Sequence, residues 1–224
     1  MPTNRKVVFA NNEIYHVFNR GVEKRTTFID KRELNRALFT LDYYRHSKPQ
    51  IKLSRYLITP QVIREQLLEN LKKDYSKLVD IICFCFMPNH FHFLLKQKME
   101  NGISIFVSTF SNSYTRYFNT KHERIGPLFE GVFKAVRIAS EDQLVHVSRY
   151  IHLNPVSSFL IKPENMQSYK WSSYPDFLGI FENGFVAKDI ILSFFPSVKD
   201  YEKFVLDQVD YAKQLEYIKH LSLE

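Results

Sequence analysis

The sequence has little cysteine, little glycine and no long apolar run. Two Cys in 224 residues cannot build a disulfide framework, and six Gly exclude collagen-like and glycine-rich low-complexity classes. The longest uninterrupted apolar stretch, Ile81 to Met87, is far short of the roughly 20 residues that span a bilayer. Residues 1–6 lead into no apolar segment of the secretory kind, so a soluble, cytoplasmic protein with no membrane partner is expected. Aromatic residues, in contrast, are abundant. The 20 Phe and 13 Tyr bring aromatics to 15%, inside a hydrophobic total of 45% that suits a packed core.

Positive charge is concentrated early. Residues 1–80 carry 16 basic and 9 acidic side chains, residues 81–160 carry 8 and 5, and residues 161–224 carry 7 and 10. A basic body with an acidic tail suits a polyanionic partner such as nucleic acid, although charge reports association and not fold.

The pattern along the chain predicts an interleaved α+β order. Glu13–Phe18 reads as a strand closed by the turn signal Asn19-Arg20-Gly21. A helix is expected from Asp30 to His46, capped by Asp30, and a helical insertion over about 59–77 with Pro60 in its first turn. Further helices are expected over Ile103–Asn119 and from a Ser140 cap to Asn154, where Pro155 would end the second. An extended segment bent at Gly131 lies between them, over Gly126–Ile138. The order β-α-(α)-β-β-α-β-α suits a split βαβ, ferredoxin-like antiparallel sheet with helices packed on it. That domain would occupy residues 1–180. A helical extension over 181–224 would follow, with helices near Ala187–Phe195 and Tyr201–Leu221.

The most informative stretch runs from Asp80 to Lys96. With Pro88-Asn89 as a two-residue turn, Met87 pairs with His90, Cys85 with His92 and Cys83 with Leu94. Alternation then puts Ile82, Phe84, Phe86, Phe91, Phe93 and Leu95 on a core face, and Cys83, Cys85, Met87, His90, His92 and Leu94 on the other. Two imidazoles at i and i+2 on one strand can grip one ion, a spacing that plain structural histidines also show. Later, Tyr150 and Asn154 stand four apart on one helix face, with His146 one turn earlier.

Met87-Pro88-Asn89-His90-Phe91-His92-Phe93-Leu94-Leu95 resembles the His-hydrophobic-His motif of the HUH endonuclease superfamily. More narrowly, the chain resembles the single-tyrosine IS200-like transposases and the REP-associated tyrosine transposases. Four more blocks match in order: 15–21 (YHVFNRG), 126–134 (GPLFEGVFK), 150–155 (YIHLNP) and 171–174 (WSSY). The resemblance covers about residues 10–180.

This resemblance implies a metal-dependent endonuclease and strand transferase acting on single-stranded DNA, with a hairpin next to the cleavage site. Tyr150 would be the nucleophile, forming a covalent 5′-phosphotyrosine, and His90, His92 and Asn154 would hold Mg²⁺ or Mn²⁺. Tyr114 and Tyr117 also sit on a helix after the HUH strand, but neither has Asn or Gln four residues on. A phenol ionises near pH ~10, so the metal, His146 or His152 is expected to assist. Arg20, Arg116, Lys121, Arg124, Lys134, Arg137 and Arg149 are candidate DNA contacts. Relatives of this kind include monomers and homodimers. Two other readings stay open: a zinc site built from Cys83, Cys85, His90 and His92, and a binding protein of the same fold that has lost catalysis.

Overall fold

The computed structural model describes residues 7–47, 49–73 and 76–214. Strand β1 (Ile14–Arg20) leads through a short turn to α1 (Lys31–Tyr44), then α2 (Leu53–Ile58) and α3 (Gln61–Lys73). The hairpin β2 (Val79–Met87) and β3 (His90–Gln97) precedes α4 (Gly102–Lys121), β4 (Lys134–Arg137) and α5 (Glu141–Ser157). Three short helices follow: α6 (Tyr174–Phe177), α7 (Asp189–Leu192) and α8 (Val198–Leu206). The four strands form one antiparallel sheet in the order β2-β3-β1-β4, as a split βαβ fold requires. Among the described residues no helix is long and apolar enough to cross a membrane.

The hairpin register is the expected one: Met87 faces His90, Cys85 faces His92 and Cys83 faces Leu94. One face assignment needs correcting. A β-bulge between Ile81 and Cys83 adds a residue to β2 and re-phases the strand below it. Ile81 therefore joins Phe84, Phe86, Phe91, Phe93 and Leu95 in the core under α1 and α4, while Ile82 turns to the other side with Cys83 and Cys85.

The other side is itself a core. Cys83, Cys85, Met87 and Leu94 pack against α5 and the C-terminal helices through Ile151, Phe177, Ile191, Tyr201 and Val205. At roughly 1.5–3 kcal/mol for each fully buried large apolar side chain, this second layer is a substantial part of the stability. Residues beyond 180 share that core. Together with Trp171 they also cover the β2 edge, where the Ala187 N–H donates to the Ile81 carbonyl at 2.8 Å and the Phe86 N–H to the Trp171 carbonyl at 2.8 Å. Covering an edge strand removes a template for pairing with other chains.

Two helix ends differ from expectation. Pro155 lies inside α5, which runs on to Ser157. A proline this near the C-terminus removes one backbone donor, and the Ser158 N–H still bonds the Asn154 carbonyl at 3.1 Å. The insertion holds α2 as well as α3, split where Pro60 removes an N–H. The expected helix Tyr201–Leu221 is broken by a turn at 207–208: α8 runs to Leu206, residues 209–214 are helical again, and residues 215–224 lie outside the described residues.

The start of α1 is a reciprocal cap. Asp30 Oδ1 accepts the Glu33 N–H at 2.8 Å, and Glu33 Oε2 accepts the Ile29 N–H at 2.7 Å. The Glu33 carboxylate is sealed from solvent and also takes Lys121 Nζ at 2.8 Å and His122 Nε2 at 2.6 Å. Burial raises its pKa, but the Lys121, His122 and Ile29 donors outweigh that, and the net shift is downward. The stability gained is therefore whole above the ordinary value near 4.5 and is lost as pH falls through the lowered one. Glu33→Ala is expected to cost about 2–4 kcal/mol at pH 7. Urea unfolding at pH 7 and in acid checks this, and the gap between variant and native protein should shrink in acid.

Candidate active site

Strands β1 and β3 are adjacent, so alternation puts His16 and Phe18 of β1 on the same sheet face as His92 of β3. The register opposes His16 to Leu94 and Phe18 to His92. His16 Nε2 lies 2.9 Å from His92 Nδ1, with the two rings stacked at 5.1 Å. The His90 and His92 ring centroids are 5.0 Å apart. Helix α5 lies over this face, and its Tyr150 ring stands edge-on to His92 at 5.5 Å and to His16 at 5.9 Å, all within one chain. The structure thus brings Tyr150 to the strand that carries His90 and His92, 60 and 58 positions earlier in sequence. Asn154 lies one turn along α5 from Tyr150, its Nδ2 donating to the Tyr150 carbonyl at 2.8 Å. His92 and Asn154 are buried, whereas Tyr150 is 44% exposed, as a phenol that meets a macromolecule must be.

One hydrogen-bonded pair assigns the donor nitrogen of His90. Asn89 Nδ2 donates to the Lys24 carbonyl at 3.2 Å, so Asn89 Oδ1 faces His90. That oxygen accepts from His90 Nδ1 at 2.7 Å, which leaves the lone pair on Nε2. His92 presents Nε2 in the same way when its Nδ1–H donates to His16. Burial brings the His16 pKa down to about 4, so at neutral pH its ring is uncharged and can accept.

Two imidazole nitrogens and the Asn154 amide oxygen make an N/O donor set suited to a hard divalent ion. Rings sharing one ion through bonds of about 2 Å have centroids within roughly 6 Å, and the His90–His92 pair meets that. Among the described residues no group of three or more His, Cys, Asp or Glu is placed to hold a metal.

Other expectations are redistributed. His152 is sealed in the second core, between Ser173 Oγ at 2.8 Å and Tyr201 OH at 2.7 Å, and burial brings its pKa down to about 3. His146 is held by Asp142 at 3.3 Å and Arg149 at 2.6 Å, against Phe204. Neither ring contacts Tyr150, because 3.6 residues per turn carry them to the sides of α5 that meet the C-terminal helices. Tyr114 is fully buried on the opposite side of the sheet, its hydroxyl donating to the Thr27 carbonyl at 2.7 Å, and Tyr117 is on the same helix beside it. Both are removed from the histidines. Cys83 and Cys85 are buried with their thiols pushed up by burial, and Cys85 Sγ contacts Met87 Sδ at 3.7 Å. They are small core residues, and the zinc reading loses its thiolates.

The candidate DNA contacts divide by place. Arg20 and Lys134 line a groove of about 740 Å³ beside His90 and His92. The same groove includes Lys24, Phe18 and the exposed Phe159. Arg20 is paired with Glu130 at 2.9 Å. Arg137 pairs with Glu13 at 2.9 Å, Arg124 holds Asn119 Oδ1 at 2.7 Å, and Arg149 lies over Phe204 at 4.1 Å. Arg116 and Lys121 are on the helix-covered side of the sheet. Sequence reasoning missed His16 as a site residue. Its signal was the alternation of His16 and Phe18 opposite the buried Tyr15 and Val17.

A comparison with curated proteins returned no match. Among solved structures, a REP-associated tyrosine transposase bound to a REP hairpin is similar, with a TM-score of 0.51 and 13% identity. The match covers 84% of this chain and 90% of that one, and shows a shared fold. The family model described as "Transposase IS200 like" matches residues 14–154. With well over half of its 224 residues in that match, the chain belongs to the IS200-like transposase family.

Proposed function

We propose that the protein is a metal-dependent endonuclease and strand transferase for single-stranded DNA, with Tyr150 as nucleophile and His90, His92 and Asn154 as the residues that hold the ion. The observation that carries this reading is the Tyr150 ring edge-on to His92 at 5.5 Å, with His92 itself lining a groove that also contains Arg20, Lys24 and Lys134. Bound Mg²⁺ or Mn²⁺ would neutralise charge on the scissile phosphate as it develops. Tyr150 Oη attacks phosphorus, the P–O3′ bond breaks, and the proton lost by the phenol balances the one gained by the departing 3′-hydroxyl. The phosphotyrosine ester keeps the bond energy, so a second 3′-hydroxyl can displace Tyr150 and rejoin strands. The cations and the half-buried Phe18 and exposed Phe159 suit an unpaired strand, which offers both phosphates and base faces. The similar transposase solved with a REP hairpin supports a hairpin beside the cleaved strand. The test is incubation with single-stranded oligonucleotides carrying a hairpin, with Mn²⁺, followed by a denaturing gel for a protein–DNA adduct. Absence of an adduct and of cleavage with every such oligonucleotide would leave a binding protein of the same fold.

His16 acts through His92 as a positioning residue, accepting from its Nδ1–H and so fixing which nitrogen faces the ion. His16→Ala is expected to raise the Mn²⁺ concentration for half-maximal cleavage about 10–100-fold, with DNA affinity unchanged. His16→Gln, which retains an acceptor, should recover part of the loss. A purely structural role would instead lower the melting temperature and leave the Mn²⁺ dependence alone.

A further inference from the structure

Helix α4 has no acidic side chain in its 20 residues. Its exposed positions Ser108, Asn112, Arg116 and Thr120 recur every fourth residue and so form one stripe along its length. The stripe borders a groove of about 710 Å³ between α1, α2 and α4, on the side of the sheet away from the histidines. Arg32, Arg36, Lys52 and Arg116 line this groove, and no Asp or Glu does. Among the described residues Arg32, Lys52 and Arg116 make no ion pair, unlike Lys121, which Asp30 and Glu33 engage.

Two buried polar atoms in the same groove also lack partners. The Arg36 guanidinium lies over the Tyr117 ring at 5.0 Å, yet neither Arg36 Nε nor Tyr117 OH has a hydrogen-bond partner. Unsatisfied buried donors beside uncompensated cations are costly unless an anion completes them. The groove does not stand alone. Asn112 also borders a depression of about 370 Å³ between α4 and residues 127–133, and Asn19 is shared by that depression and the histidine groove. Three concavities thus follow one another around the edge of the sheet, joined by amide side chains.

We propose that this track holds the sugar–phosphate backbone of the nucleic acid that continues beyond the histidine groove, with Arg32, Arg36, Lys52 and Arg116 as its far cationic end. The inference rests on the function proposed above and adds a second contact surface to it. Hydroxyls, amides and cations that meet phosphates grip a backbone without reading its sequence. The backbone can belong to an unpaired extension or to the stem of a hairpin.

The test is anisotropy titration of the full chain with labelled DNA over a range of salt concentrations. One oligonucleotide of about 4 nucleotides is short enough to occupy the histidine groove alone. Others carry the same core lengthened on either side, by an unstructured tail or by a hairpin. Arg32→Glu/Arg116→Glu is expected to weaken binding of a lengthened DNA about tenfold or more. It should also flatten the slope of log K against log salt by about 1.4–1.8. Affinity for the short oligonucleotide should hold. The arm that responds identifies tail or stem. Native affinity and slope of the double variant for every lengthened DNA would overturn the proposal, as would loss of polyglutamate binding with DNA binding intact, which would assign the groove to an acidic protein. Native protein that binds none of the DNAs would overturn the parent function and this extension together. Both arginines are at the surface, and an unchanged circular dichroism spectrum and melting temperature establish that the variant folds.

Discussion

Tyr150→Phe is expected to form no covalent adduct with hairpin-bearing single-stranded DNA and to bind it as tightly as the native protein does. The substitution removes one oxygen from a ring that is 44% exposed, so packing against His92 and His16 is retained and folding is unaffected. Chemistry has no substitute for that oxygen: the phenols of Tyr114 and Tyr117 are on the far side of the sheet, and Tyr114 is buried with its hydroxyl committed to Thr27. Loss of a nucleophile costs on the order of a thousandfold or more in rate. A denaturing gel after incubation with Mn²⁺ reads the result directly. Tyr114→Phe serves as the counterpart. It sacrifices a buried hydrogen bond worth about 1 kcal/mol and should retain full adduct formation. Adduct that survives Tyr150→Phe and vanishes with Tyr114→Phe or Tyr117→Phe would refute the assignment.

His90→Ala and His92→Ala are each expected to abolish detectable cleavage, a fall of at least about a thousandfold, while hairpin binding drops less than about threefold. On the function proposed above, the imidazoles would act on the reacting phosphate through an ion, whereas affinity would come from cations such as Arg20, Lys24 and Lys134 along the groove. Chelation with EDTA should reproduce the double loss of nicking and rejoining in the native protein, and Mn²⁺ should restore both. Of the two, His92→Ala also leaves His16 without its partner and opens a cavity, so its melting temperature should fall more than that of His90→Ala. Cleavage that persists in either variant, with EDTA present, would mean that Tyr150 attacks without an ion.

Much of the fold was legible because the hairpin is governed by local rules. Pro88-Asn89 fixes the turn, and the turn fixes the register that puts His90 and His92 on one face. That Tyr150 and Asn154 share one face of a helix was legible from their spacing. The bulge at Ile82 was not, since nothing in an apolar run marks where a strand gains a residue. The exclusion of His146 and His152 was equally hidden. Both lie within four residues of Tyr150, and only the packing of Phe204, Tyr201 and Ser173 decides which sides of α5 are taken. His16 was missed for a related reason: a lone histidine on a strand acquires meaning only when the neighbouring strand is known. The candidate arginines were least legible, because a guanidinium's partner depends on where distant carboxylates such as Glu13 and Glu130 come to rest.

The hydroxyl of Tyr201 in the C-terminal segment bonds His152, and Arg149 lies against Phe204 of the same segment. These attachments hold α5 against the C-terminal segment, two residues and one residue from Tyr150. If Tyr150 is the nucleophile proposed above, every group the cut requires would come from one chain, and the adduct yield per molecule should stay constant on dilution.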